Sequence, residues 1–281
     1  MYRKCYRILK VNFDKQGKSM QKKFFFLILA GIVLQTSTRL DADECAIQVI
    51  RDLYLNMIKR TILNTIYEPD PLKEKGHTWP ATAHSMIGSM RMDNIKYCME
   101  DVLANNIPGD FIETGVWRGG AVIFMRAILK AHNVTDRVVW VADSFEGLPA
   151  PNISLYPADT GSDYHENNYL KVNLETVQNN FKSYGLLDNQ VVFLKGWFKD
   201  TLRIANIKNI AVLRLDGDMY ESTTDTLEAL YEKVSPGGYI IIDDWCLVTA
   251  RTATLDFRSR RGIVDPIQDI DGIGSFWKKS K

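Results

Sequence analysis

Three aspartates are spaced so that they could bind a metal ion together. Asp216 ends one apolar stretch, and Asp243 and Asp244 end the next, 27 residues later. That interval leaves room for one crossover helix, so the two stretches are predicted to be neighbouring parallel strands about 4.8 Å apart. Carboxylates that converge in this way repel one another, and a hard cation such as Mg²⁺ removes the repulsion. We therefore predict a magnesium site, although each acid alone could equally cap a helix or face solvent.

A glycine-rich stretch lies upstream, in Glu113-Thr-Gly115-Val-Trp-Arg-Gly119-Gly120. Glycines in a turn between a strand and a helix let a ligand approach the backbone closely, and the helix N-terminus offers free N–H groups. The stretch contains neither the GxGxxG pattern of dinucleotide sites nor the Lys-Ser/Thr of a P-loop. The alternative interpretation is a tight turn whose glycines serve packing alone.

Asp143 ends the next predicted strand, about 30 residues after the glycines. An acid at this position can accept hydrogen bonds from both hydroxyls of a ribose. Its alternative role is to cap the turn that follows. The order of glycine turn and then acid predicts a site for an adenosine-type cofactor, without specifying which one.

Strands and helices alternate through the region that carries these residues. Strands are predicted at 110–114, 137–143, 190–194, 210–216 and 238–244, with two short ones around 263–267 and 274–277. Helices are predicted at 41–67, 90–103, 121–131, 172–184, 223–234 and 249–261. This pattern indicates an α/β fold with a doubly wound, mostly parallel sheet. Ligands of such sheets bind beyond the carboxyl ends of the strands, where the acids and glycines fall.

The overall charge conceals an asymmetry between the N-terminal segment and the rest. The 281 residues include 35 Lys+Arg and 34 Asp+Glu, but residues 1–23 hold eight basic side chains and one acid. An apolar run follows at 24–34, and the combination is typical of a secretory signal. An uncleaved anchor, a start at Met20 and a buried core helix are the alternatives. We expect a leader at 1–40 and a catalytic domain at 41–281, with secretion or anchoring through residues 22–34, or otherwise a cytoplasmic location.

The composition excludes several classes of protein. Apolar residues make up 46% and charged residues 25% of the chain, which is too apolar and too balanced for a disordered protein. Four cysteines are too few for a disulfide scaffold of this length. Beyond the basic segment the chain is net acidic, so we expect no nucleic-acid partner.

Several longer stretches together resemble a known family. They are ETGVWRGGAVIFMRAILK, VWVADSFEGLP, GWFKDTL, LRLDGDMYEST and SPGGYIIIDDW, preceded by WPATAHSMIGSMRMDN. These motifs are similar to those of the macrocin O-methyltransferase family, over roughly residues 53–277. The resemblance implies a class I, Rossmann-like methyltransferase fold with an N-terminal helical lid segment, and residues 79–86 would form part of the lid. It also implies S-adenosylmethionine as cofactor and Mg²⁺-assisted transfer to a hydroxyl of a sugar or small molecule.

The resemblance also assigns roles to individual residues. It places the cofactor against Glu113, Gly115, Gly119, Asp143, Ser144, Gly196 and Trp197. It places the metal on Asp216, Asp243 and Asp244 and makes Asp216 the base as well. This division of roles is chemically consistent, because a metal lowers the pKa of a hydroxyl and orients it while a nearby carboxylate takes the proton.

Other interpretations and weaker candidates remain open at this point. His84 and His165 could act as bases, and Arg251 and Arg258 could hold an anionic group. Asp216-Gly-Asp218 is also the DxD pattern of metal-dependent glycosyltransferases, and a non-catalytic module that binds S-adenosylmethionine is a third hypothesis. The family often carries Gly-Cys-Arg where this chain has Thr249-Ala-Arg251, which leaves the identity of the acceptor open. A homo-oligomer is compatible with the sequence.

Overall fold

The structure is a computed structural model that describes residues 44–280. Helix α1 covers residues 44–62; residues 44–50 are grouped with one compact unit and residues 51–280 make up the other. The predicted leader, with its signal, anchor and alternative start, lies outside the described residues. Within residues 44–280, none of the helices combines the length and the apolar character that a membrane crossing demands.

The larger unit alternates strands and helices as predicted. Its strands are β1 (Asp110–Thr114), β2 (Val139–Asp143), β3 (Val191–Lys195), β4 (Ile210–Leu215), β5 (Val234–Ile242), β6 (Gln268–Asp269) and β7 (Ser275–Lys278). Its further helices are α2 (Pro71–Glu74), α3 (Gly88–Ala104), α4 (Gly120–Ala131), α5 (Leu174–Ser183), α6 (Phe198–Thr201), α7 (Tyr220–Leu230) and α8 (Val248–Arg261). The long loop at 147–172 contains three short 3₁₀ turns.

The seven strands form one sheet in the order β3-β2-β1-β4-β5-β7-β6. The first five strands are parallel, and β7 runs antiparallel between β5 and β6. The chain reverses its direction of winding between β1 and β4, which creates the switch point where ligands of doubly wound sheets bind. Thr114 pairs with Leu215, and Leu215 pairs with Ile242. The residues that follow these three strands therefore lie side by side.

Two hydrophobic layers bury the two faces of the sheet. Phe111 points into a layer with residues of α3, α4 and α5, such as Ile95, Phe124 and Phe181. Its neighbour Ile112 points into the opposite layer, which includes residues of α7 and α8. Successive side chains of a strand alternate between faces, so an apolar run without polar interruptions is what a sheet covered on both sides requires. The predicted doubly wound α/β fold is confirmed.

Several predicted boundaries were wrong. The predicted strand at 263–267 is not a strand, and the chain pairs with β7 only at β6. The predicted helix at 223–234 begins earlier, at Tyr220, and ends at Leu230, because Val234 already belongs to β5. The first predicted helix, 41–67, ends at 62 within the described residues. Helix periodicity locates the centre of an element better than its ends.

Candidate active site

A cavity of about 690 Å³ opens at the carboxyl ends of the central strands. Nine of the predicted site residues line it: Glu113, Gly115, Asp143, Ser144, Gly196, Trp197, Asp216, Asp243 and Asp244. Gly119 is not among the described residues that line it. Gly119 caps α4 with φ 84°, and a Cβ added there would meet the Val177 side chain of the adjoining α5 at 2.8 Å. The structure thus places Gly119 in a packing position behind the turn.

The Asp143 side chain binds backbone N–H groups of two turns, one after β1 and one after β2. Its Oδ2 accepts the N–H of Val116 and its Oδ1 accepts the N–H of Phe145, each over 2.7 Å. Burial raises the pKa of the Asp143 carboxyl, while these backbone N–H groups oppose the rise. A carboxylate has about four acceptor sites, so both oxygens keep capacity for further donors such as ribose hydroxyls. The two roles considered for Asp143, capping a turn and accepting from a ligand, are therefore compatible.

The glycine turn after β1 (residues 115–120) and the loop after β4 touch through their backbones. Gly115 has φ 87°, and a Cβ added at this residue would lie 1.7 Å from the carbonyl oxygen of Asp216. No side chain can occupy that space, so this position needs glycine for contact as well as for conformation. Trp117, two residues on, also has a positive φ of 47°, which is uncommon for a bulky residue.

Glu113 is fully buried at the floor of the cavity, with 1% of its surface exposed. Its Oε1 forms an ion pair with Arg214, and its Oε2 has no hydrogen-bond partner. Burial raises the pKa of this carboxyl to about 8; the charge of Arg214 opposes the rise, and Asp216 and Asp243 add to it. A buried acceptor without a partner is costly, and a ligand that brings a donor into the cavity would satisfy it.

The three predicted metal ligands converge as their spacing predicts. One oxygen from each of Asp216, Asp243 and Asp244 can be chosen so that all lie within 4.8 Å of one another. Burial, followed by the charge of Asp243, raises the pKa of Asp216 to about 6. Burial and the neighbouring acids also raise the pKa of Asp244 well above its ordinary value. The donor set, all carboxylate oxygen, suits a hard divalent cation.

A fourth carboxylate, Asp218, stands beside these three. Its backbone adopts φ 58° and is held from two directions, because its N–H donates to Asp244 over 2.9 Å and its carbonyl accepts from the Thr249 hydroxyl over 2.6 Å. Burial, reinforced by Asp216 and Asp243, raises the pKa of Asp218 to about 7. The acidic cluster is therefore larger than the sequence-based prediction.

Two buried arginines, which the sequence analysis did not single out, balance part of this charge. Arg214 donates to Glu113 and to Asp243, and to Asp216 over 2.8 Å. Arg91, on α3, donates to the other oxygen of Asp243 and to Asp271 over 3.0 Å. Both oxygens of Asp243 are thus ion-paired. A charged residue within the apolar strand IAVLRL was the available signal for Arg214; no local signal marked Arg91.

The weaker candidates divide between cavity and scaffold. His84 lines the cavity, and its Nδ1 lies 2.8 Å from the Tyr184 hydroxyl; burial lowers the pKa of its imidazole. His165 is not among the described lining residues. Arg251 and Arg258 do not line the cavity either. Arg258 instead donates to the carbonyl of Asp265 and stacks on Trp277, so the expectation that it holds an anionic group of the site was wrong.

Comparison with known proteins identifies the family. The sequence model of Macrocin-O-methyltransferase (TylF) matches residues 27–279. The 8-demethyl-8-(2,3-dimethoxy-alpha-L-rhamnosyl)-tetracenomycin-C 4'-O-methyltransferase of Streptomyces olivaceus is 52% identical over 242 residues, covering 81% of this chain and 93% of that protein. The mycinamicin III 3''-O-methyltransferase of Micromonospora griseorubida is 46% identical over 246 residues, covering 82% and 97%.

A solved structure agrees with the sequence relatives. The O-methyltransferase NovP superposes with a TM-score of 0.80 at 48% identity, and the match covers 82% of this chain and 100% of that one. Family, fold and site geometry therefore exclude the glycosyltransferase interpretation of the DxD pattern. The chain belongs to the macrocin O-methyltransferase family and is an S-adenosylmethionine-dependent O-methyltransferase.

Proposed function

We propose that this protein methylates a hydroxyl of a sugar carried by a small molecule, with Mg²⁺ held by Asp216, Asp243 and Asp244. The observation that carries the proposal is the convergence of these three carboxylates within 4.8 Å beside the glycine turn. The names of both relatives support the acceptor class, since one methylates a rhamnosyl-bearing tetracenomycin and the other mycinamicin III.

The residues around the turn fit the methyl donor. The partnerless Oε2 of Glu113 and the remaining acceptor capacity of Asp143 suit the donors of S-adenosylmethionine, which include an ammonium group and two ribose hydroxyls. We assign the ribose to Asp143, with Ser144 beside it, and the adenine to Gly196 and Trp197. Bound S-adenosylmethionine supplies an electrophilic methyl group on a sulfonium centre.

The acidic cluster fits the metal. Asp216 and Asp244 have oxygens to which no described residue donates, whereas the oxygens of Asp243 are shared with Arg91 and Arg214. We assign Asp216 and Asp244 as the principal ligands and Asp243 as a ligand that the two arginines orient. When bound, Mg²⁺ lowers the pKa of a hydroxyl that it ligates.

We assign the proton to Asp216. Its Oδ2 accepts from Arg214, which fixes the plane of the carboxylate and leaves Oδ1 for the acceptor hydroxyl. As the acceptor oxygen takes up the methyl group that the sulfonium supplies, Asp216 would accept the hydroxyl proton. Asp216 can act as the base only when its carboxyl is ionised, and burial raises the pKa of this carboxyl to about 6 in the metal-free protein.

The leader and the domain limits remain proposals. We propose that residues 41–281 form the catalytic domain and residues 1–40 a separate leader that directs secretion or anchoring. N-terminal sequencing of the protein from its own cells tests this. Recovery of residue 1 or residue 20 as the N-terminus would contradict cleavage of a signal.

The decisive experiment combines turnover with direct binding. Purified protein is incubated with S-adenosylmethionine, with Mg²⁺ or EDTA, and with a library of glycosylated small molecules, and mass spectrometry detects a gain of about 14 Da per methyl group transferred. We expect product on a sugar hydroxyl only with Mg²⁺.

Asp216→Asn should remove turnover while calorimetry still detects S-adenosylhomocysteine binding. Asp110→Asn, at the opposite end of β1, is the matched control. Wild-type turnover by Asp216→Asn would refute the proposed base.

A further inference from the structure

Arg118 joins the cofactor turn to the segment that crosses the cavity before α3. We call residues 79–86 the strap. The Nη1 atom of Arg118 donates to the strap carbonyls of Ala81 over 2.9 Å, Ala83 over 2.8 Å and Pro80 over 3.3 Å. The guanidinium of Arg118 therefore holds the strap through backbone carbonyls, and this contact does not depend on the side chains of the strap. Trp79, His84, Ser85 and Met86 of the strap line the cavity.

The same guanidinium also meets the long loop at 147–172. Arg118 lies 4.2 Å from the centre of the Trp117 ring and 5.4 Å from that of Tyr169, a residue of the loop. Trp117 donates from Nε1 to the Tyr169 carbonyl over 3.0 Å, and the Tyr169 hydroxyl donates to the carbonyl of Pro80 over 2.6 Å. The Tyr169 ring stacks on Trp79 at 5.2 Å. Strap, loop and turn are therefore fastened at one point.

The backbone of the turn depends on these contacts. Trp117 adopts its positive φ of 47° directly before Arg118, and such a conformation persists only where the surroundings enforce it. Asn180 of α5 donates to the Arg118 carbonyl over 2.9 Å, and the N–H of Gly120 donates to the His84 carbonyl over 2.9 Å. The position of the strap and the shape of the turn are thus set by one set of bonds.

We propose that Arg118 is a positioning residue that couples occupancy of the cofactor turn to closure of the strap and the long loop over the site. The inference rests on the proposed placement of the cofactor on that turn. A cofactor that holds the turn in this shape holds Arg118 in place, and Arg118 in turn holds the strap. By thermodynamic reciprocity, closure of the strap raises the affinity for the cofactor by the same factor by which bound cofactor favours closure.

Lysine cannot replace arginine in this role. Its ammonium is a compact point charge without a planar face, so it loses the stacking on Trp117 and Tyr169. Arg118→Lys therefore keeps the positive charge and removes the stacking on Trp117 and Tyr169 on which the coupling depends.

Hydrogen exchange measured by mass spectrometry tests the coupling. Strap and loop peptides of the full chain are followed with and without S-adenosylhomocysteine, in wild type, in Arg118→Lys and in the control Arg126→Lys. Arg126 lies on α4 and bonds to Asp188 and Gln190, away from the strap. We expect the ligand to protect these peptides in wild type and in the control but not in Arg118→Lys. Equal protection in all three proteins, or its loss in both variants, would overturn the proposal.

Kinetics and calorimetry separate this inference from the function on which it rests. We expect Arg118→Lys to raise the acceptor KM on the order of tenfold, with a smaller change in kcat. If Arg118 had a purely structural role, Arg118→Lys would lower Tm, and it would not change the acceptor KM more than kcat. If Arg118→Lys does not fold, Tyr169→Phe removes only the hydroxyl bond to Pro80 and should show part of the same loss. Failure of wild type to bind S-adenosylhomocysteine would contradict the cofactor site itself, whereas binding without ligand-dependent protection would contradict the coupling.

Discussion

Arg214 and Asp216 stand two positions apart at the end of β4, and Nη1 of Arg214 donates to Oδ2 of Asp216 over 2.8 Å. The arginine comes from the fully buried interior of the strand and the aspartate from its open end. The orientation of the proposed base is therefore fixed from beneath, by a side chain that is itself held by Glu113 and Asp243. A carboxylate fixed in this way loses little conformational freedom when it binds a proton or a metal.

Removal of Arg214 should destabilise the protein strongly. In Arg214→Met, Glu113 and Asp243 remain buried, and each loses an ion pair. We expect the free energy of unfolding to fall by about 3–5 kcal/mol, measured by urea denaturation. Arg260→Met is the control, because Arg260 is half exposed and pairs with Glu228 at the surface. That variant should lose less than about 1 kcal/mol. Similar losses in both would contradict a structural role for the buried cluster.

Asp143→Asn should weaken cofactor binding more than folding. The amide presents an NH₂ group to a position where the carboxylate now accepts two backbone N–H groups and, in our proposal, the ribose. We expect the Kd of S-adenosylhomocysteine to rise on the order of 10- to 100-fold by calorimetry, as the loss of charge-assisted bonds implies. Asp110→Asn is matched in chemistry, since Asp110 accepts from Val138 and Trp140 at the other end of the sheet. An unchanged Kd in Asp143→Asn would remove the ribose assignment.

Without metal, the acidic cluster should make stability fall as pH rises. The folded-state pKa values of Asp216, about 6, and Asp218, about 7, lie above their ordinary value of 3.8. The folded protein thus binds more protons than the unfolded chain between these values, and ionisation of the two acids opposes folding from about pH 4 to about pH 7. In EDTA we expect their contribution to lower Tm across this window.

Added Mg²⁺ should restore stability mainly at the upper end of that window. Binding requires ionised carboxylates, so the gain in Tm should be larger at about pH 8 than at about pH 5. Asp218→Asn removes one titrating group and should flatten the pH dependence measured in EDTA. A gain in Tm that is equal at both pH values would argue against metal binding by these acids.

Substitution of Asp159 should weaken binding of the acceptor and leave binding of the cofactor unchanged. This fully buried residue of the long loop accepts the first N–H groups of α7, from Tyr220 over 2.7 Å and from Glu221 over 2.9 Å. It therefore fixes the loop to the helix that follows the acidic cluster. Asp159→Asn should cost roughly 0.5–2 kcal/mol of stability, as lost helix caps do. We expect a raised acceptor KM with an unchanged Kd for S-adenosylhomocysteine; a change confined to that Kd would contradict the assignment.

The parts of the site that follow from sequence are those that depend on strand ends. Asp216 and Asp243 could be brought together by counting residues, because parallel strands place their carboxyl ends on one edge. Gly115 and Gly119 could not be told apart, since both have positive φ and share one motif, yet only Gly115 lines the cavity. Arg91 lies 152 positions from Asp243, and only tertiary packing shows that they meet.

The packing of the long loop against the helices could not be predicted from the sequence, for a different reason. Polar residues such as Asp159 look the same whether they are solvated or buried, and the partners that bury Asp159 are backbone N–H groups more than sixty residues away. Backbone partners leave no trace in residue type. The sequence therefore predicts where the chemistry lies better than it predicts what covers it.

The contact between Gly115 and the carbonyl of Asp216 has a consequence for how such enzymes diversify. Because the two backbones are in contact there, the distance between the glycine turn after β1 and the loop after β4 is set by main-chain atoms and does not depend on neighbouring side chains. Cavity-lining side chains that take no part in this contact or in the bonds around Arg118 can therefore change without disturbing that spacing. Related enzymes can therefore differ in the acceptor they methylate and retain the same methyl-transfer step.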